Sequence, residues 1–115
     1  MQKYLFVTIC LALFAACAPT DKNKIPDTVL SQEKMQAILY DMHLAEAIAN
    51  KTQAPLDSVA GKALGMYQEI YSKHQVSEEQ FKTSYDFYIE HPVLLDSVYS
   101  RVIDELSVQE AFLRK

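Results

Sequence analysis

At 115 residues the chain suffices for one small domain, and its composition, half hydrophobic and 23% charged, is that of a globular protein rather than a disordered one. Two Gly, four Pro and no Trp exclude Gly-rich phosphate loops and collagen-like repeats. The formal net charge is −4, Arg101 and Arg114 are the only arginines, and no basic stripe exists, which argues against a nucleic-acid partner.

The first element is a short apolar run, Tyr4 to Ala16, preceded by Lys3. A spanning helix needs about 20 apolar residues, and this run is shorter. A charged start, a short apolar stretch and small residues before a cut site describe a secretory signal peptide over residues 1–16. The alternative, a buried core helix, fits poorly with the polar, Pro-containing segment that follows. The cut site, "FAAC", resembles the bacterial lipobox, with Ala15 and Ala16 matching and Phe14 departing from the usual Leu. The resemblance implies that Cys17 receives a diacylglyceryl group and becomes the acylated first residue. Cys10 leaves with the signal peptide, so Cys17 has no disulfide partner in the mature chain. Ala18 in place of Asp favours the outer membrane by the enterobacterial sorting rule. "APTDKNK" lacks the acidic run of surface-exported lipoproteins, so the periplasmic face is expected. Residues 17–29 then read as the lipidated Cys and a polar tether, with Pro19 and Pro26, and residues 30–115 as a helical domain.

Beyond the tether the apolar spacing is helical throughout, with no sustained strand alternation. Ser31 is a good N-cap for a first helix, and Leu30 with Met35 occupies the positions of a hydrophobic staple. Met35, Ile38, Leu39, Met42, Ala45 and Ala49 form one stripe; Tyr40, Leu44 and Ile48 lie roughly opposite. A helix apolar on two sides belongs at the centre of a bundle. A second helix runs from Leu56 to His74, with Leu56, Val59, Ala60, Ala63, Met66, Tyr67, Ile70 and Tyr71 on one face. Gly61 and Gly65 fall on the other face, and we read them as tolerated glycines rather than a close backbone contact.

"VSEEQF" marks the start of a third helix: Ser77 and Gln80 make a capping box, and Val76 and Phe81 a staple. Phe81, Tyr85 and Tyr88 form its buried face. "EHP" ends it, because His91 precedes a proline, and Pro92 suits the first position of a fourth helix. There Leu95, Val98, Tyr99, Val102, Ile103, Leu106 and Leu113 form a broad stripe, with Ser97, Arg101 and Asp104 facing water. The expected fold class is all-α, a small bundle of about four helices behind a signal peptide and a flexible tether.

The stretches "ILYDMHLAEA" and "SKHQVSEEQFKTSYDFYIEHPVLLDSVYSRVIDEL" resemble the lipoproteins of domain of unknown function 4296, a family found in Bacteroidota. The matching features are the Asp and Glu of the first helix, Lys-His before the turn, Phe and Ser-Tyr of the third helix, and the His-Pro junction with "VY" and "VIDEL" after it. The resemblance spans roughly Ile25 to Leu106. It supports the lipoprotein reading and implies no activity.

Glu46 falls within the apolar stripe of the first helix, where an unpartnered carboxylate is costly. It is either held by an interhelical hydrogen bond, to a Tyr hydroxyl for example, or placed at the bundle edge. Alternatively it is a ligand with His43 and Asp41, although zinc needs three or four ligands and the pattern is thin. No metal site and no cofactor is expected. His74 suits the end of a helix dipole, and His91 ends a helix. No nucleophile, zincin or CxxC motif is present, so no enzyme is expected. Phe81, Tyr85 and Tyr88 are core residues or, in a second reading, an aromatic groove for a peptide or glycan. Asp27-Thr28, Asp57-Ser58 and Asp96-Ser97, each followed by Val, match the short O-glycosylation motif of Bacteroidota, which makes Thr28, Ser58 and Ser97 candidates. The functional expectation is a membrane-anchored, periplasm-facing lipoprotein that serves as a non-catalytic interaction or scaffold module for an envelope protein. The alternatives are a chaperone-like peptide binder and a metal or small-ligand protein.

Overall fold

The structure, a computed structural model, describes residues 21, 23–51 and 56–115, with the side chains of residues 56–60 outside that description. The expected signal peptide, Cys10 and Cys17 lie outside the described residues, as do the side chains of Leu56, Ser58, Val59 and Ala60. Among the described residues the fold is all-α: α1 (Gln32–Lys51), α2 (Leu56–His74), α3 (Glu78–Glu90) and α4 (Pro92–Leu113). None of these helices is long and apolar enough to cross a membrane.

Helix α1 is central, packing on both α2 and α4, while α3 packs on α4. Its buried residues are the six of the expected stripe, Met35, Ile38, Leu39, Met42, Ala45 and Ala49. Ser31 caps it by accepting the Lys34 amide at 3.2 Å, and both staple residues, Leu30 and Met35, are buried. The chain before the helix is already docked: Ile25 and Val29 pack against the core, and the Val29 amide closes a turn on the Pro26 carbonyl at 3.0 Å.

Helix α2 ends in a left-handed cap. Gln75 has φ of 57°, and the Val76 and Gln75 amides bond back to the Tyr71 and Ser72 carbonyls at 3.0 and 3.1 Å. This is the Schellman pattern with Gln where Gly is usual. Two residues later Ser77 caps α3, its hydroxyl accepting the Gln80 amide at 3.0 Å. At the other end of α3 the His91 ring stacks on Phe87, centroids 4.0 Å apart, and its Nδ1 lies 2.7 Å from the Phe87 carbonyl. The chain turns there and Pro92 opens α4.

The fourth helix departs from the expected stripe. Leu94, Val98 and Val102 are its buried residues, with Leu95, Tyr99 and Leu106 partly covered, whereas Ile103 and Leu113 are exposed. The reason is length: α3 has 13 residues against 22 in α4. The last turns of α4 therefore run past α3, and beyond that point α1 covers one side only. Ser97, expected to face water, is half-buried.

Two side chains of α3 hold the peptide units around Leu30. Ser84 Oγ accepts the Leu30 amide at 2.9 Å, and the Tyr88 hydroxyl donates to the Leu30 carbonyl at 2.8 Å. Ser84 also donates to the Gln80 carbonyl, so both its hydrogen-bonding roles are used. Among the described residues no buried side-chain nitrogen or oxygen lacks a partner.

Candidate functional site

Helices α1 and α2 are antiparallel, and polar pairs tie their seam at two levels. At the first, Asp41 Oδ2 accepts from Lys73 Nζ at 2.8 Å and lies 2.7 Å from His74 Nε2. The Asp41 and His74 side chains are only 16% and 13% exposed, while Lys73 lies largely in water. Burial works to raise the Asp41 carboxyl, but the hydrogen bonds and charges of Lys73 and His74 outweigh it and hold the group below its ordinary 3.8. The Schellman cap at Gln75 makes this possible, because it fixes the last turn of α2 with Lys73 and His74 turned toward α1.

At the second level Tyr67 donates its hydroxyl to Glu46 Oε1, and His43 Nδ1 is 3.6 Å from Glu46 Oε2. Burial and then the Glu46 carboxylate push the Tyr67 phenol up to about 12. Glu46 is thus not inside the apolar stripe; it stands half-exposed at its edge, in the hydroxyl-bonded arrangement. Asp41 points to different partners, so the structure does not bring Asp41, His43 and Glu46 together. Residues 41 and 46 are about 140° apart around a helix, which separates their faces. Among the described residues no group of three His, Cys, Asp or Glu side chains is placed to hold a metal ion.

The three aromatic residues of α3 do not form an open groove. Tyr88 is 0% exposed and Phe81 is buried, both within the core, because the Leu30 segment and α2 cover them. Phe81 stacks on Tyr85 at a centroid distance of 5.9 Å and meets Tyr71 at a tilt, 5.5 Å away. Tyr85 is partly exposed, and its hydroxyl meets that of Tyr99 at 3.0 Å. Burial and that hydrogen bond push the Tyr99 phenol up to about 12. Of the modification candidates, Thr28 is exposed in the turn before α1 and Ser97 lies half-buried inside α4.

An open apolar groove lies along the α1–α2 seam. Leu44, Ala45 and Ile48 of α1 face Met66 and Ile70 of α2 across a groove of about 420 Å³. Asp41, Glu69 and Lys73 give it a charged rim. Asp41 and Lys73 also border a second, more polar trough with Tyr40, His74, Arg101 and Glu105. The groove was missed from sequence because Leu44 and Ile48 were read as a second covered side of a central helix, whereas Ile48 is exposed. The pairing of Asp41 with residues 32 and 33 positions away has no local signal beyond an antiparallel register.

No curated protein and no solved structure matches the chain. A family model described as "Domain of unknown function (DUF4296)" matches residues 26–111, from the docked turn before α1 to the last turns of α4. That match covers most of the molecule, including both polar ties and the groove, and the chain belongs to this family.

Proposed function

We propose that the protein is a lipoprotein anchored through Cys17 in the outer membrane and facing the periplasm. Its helical domain is a non-catalytic interaction module for another envelope protein. The observation that carries the interaction reading is the groove between α1 and α2, with an apolar floor of Leu44, Ala45, Ile48, Met66 and Ile70 and a charged rim. Parallel walls of this kind suit an amphipathic helix of the partner, whose apolar face would complete a three-helix layer. The non-catalytic reading is supported by how the titratable side chains are engaged: Asp41 by Lys73 and His74, Glu46 by Tyr67. The anchor reading rests on the sequence around Cys17.

Site-specific photocrosslinking in membranes of the native host tests the interaction. A photoreactive residue at Leu44 or Ile48 is expected to give one reproducible adduct, and the same residue at Glu79, on the outer face of α3, is expected to give none. Absence of an adduct from both groove positions would sink the docking role.

A further inference from the structure

We propose that the corner between α3 and α4 is the surface that rests on the lipid bilayer, a reading that builds on the Cys17 anchor. Three observations converge on this corner. The first is where the chain comes in: Asn23 lines a shallow depression together with Glu90, His91, Pro92 and Val93. Ile25 and Val29 then pack against the core, so the segment leading from the anchor is held to the domain by that point. The second is reach. Asn23 lies six positions after Cys17, and even fully extended that stretch spans at most about 22 Å. The third is the surface itself. Ile89 is 54% exposed and Val93 is 70% exposed, and they flank the His91–Pro92 turn where the anchor segment arrives. Phe112 and Leu113 at the far end of α4 are exposed as well, so it is the short connection that selects the corner.

A domain held this close by its corner has little freedom to present another end to the membrane. Helix α4 starts at this corner and, at 22 residues, carries its far end about 33 Å away. An acyl-anchored chain long enough to let the bundle tumble would make exposed apolar residues at the corner incidental. With so short a connection they lie within reach of the headgroup region, where apolar side chains are favourably buried. Asp21, whose Oδ1 accepts the Asn23 amide at 3.1 Å, and Lys24 of the incoming segment, with Glu90 of the corner, are charged groups nearby, two acidic and one basic. The contact is therefore apolar in origin rather than an attraction to anionic lipid. The α1–α2 groove begins about three turns along α1 from this end, so the same orientation holds it clear of the bilayer.

The test uses the full acylated chain in vesicles of phosphatidylethanolamine and phosphatidylglycerol that carry a nitroxide-labelled phospholipid. Acylation blocks the Cys17 thiol, so Val93→Cys and Ala111→Cys each take one fluorophore, at opposite ends of α4. The Val93 label is expected to lose about three times more fluorescence to the lipid quencher than the Ala111 label, because only the former comes within the 5–10 Å over which apolar faces enter the interface. Adding Ile89→Asp should lower the Val93 quenching while the protein stays membrane-bound. Equal quenching at both positions, in protein whose intact mass carries the acyl chains, overturns the orientation and leaves the anchor standing. A Val93 label that reports an apolar environment without lipid quenching assigns the corner to a second copy or another protein, and likewise overturns it. Protein that lacks the acyl mass refutes the anchor itself, and the orientation falls with it.

Discussion

Tyr88 concentrates much of what one side chain does for this fold. Its ring is fully buried and stands edge-on to Phe87 at 5.6 Å, while its hydroxyl donates to the Leu30 carbonyl. Tyr88→Phe keeps the ring and removes the donor, so it should cost about 1–2 kcal/mol in urea unfolding with an unchanged m-value. Asp41 makes a different kind of contribution, one that depends on pH. Its carboxyl is more acidic in the folded chain than its ordinary 3.8, so ionisation favours folding. That stabilisation is fully present well above the ordinary 3.8, from about pH 5, and is lost as pH falls through the lowered folded value. Asp41→Asn should therefore lower Tm at pH 7, and its gap from the parent should narrow as pH falls below the ordinary 3.8 and close once it is below the lowered folded value. A gap that persists undiminished in acid would mean that packing, not charge, carries the effect.

At the scale of the helices, Gly61 and Gly65 of α2 are exposed, have ordinary negative φ, and have open space where a Cβ would stand. Nothing approaches them, so they only loosen the helix. Gly65→Ala should raise stability by about 0.5–1 kcal/mol, read as an increase in Tm. Much of the helical layout was legible in the sequence because its signals are local. Ser31 and Ser77 announce their helices within three residues, and the stripe of α1 needs only a 3.6-residue period. Leu94 and Ile103 were misjudged for a physical reason: which side of α4 is covered depends on where the shorter α3 stops, and α4's own spacing cannot report that. Ser84 escaped notice as well, since its partner amide is 54 positions away. The same holds for the Asp41–His74 pair, so the seam that frames the groove became visible only with the register of α1 against α2.

For the whole molecule, the central position of α1 divides the labour between its two sides. Toward α4 and the Leu30 segment it supplies core; toward α2 it leaves Leu44 and Ile48 beside an open groove. Ile48 is exposed, so Ile48→Asp should change unfolding free energy by less than about 0.5 kcal/mol. It should nevertheless cut the yield of a crosslink placed at Leu44 about tenfold, equivalent to ~1.4 kcal/mol of binding. A stable variant with undiminished crosslinking would show that the partner, if it docks, does so elsewhere. The paired hold on Leu30 has a mechanical consequence. Its N–H and C=O are gripped by two residues one turn apart on α3, Ser84 and Tyr88. A pull on the chain upstream of Leu30 is therefore delivered into the α3–α4 hairpin before it reaches the first turn of α1. Tension from that side meets a latch, and α1 does not unzip from its own end.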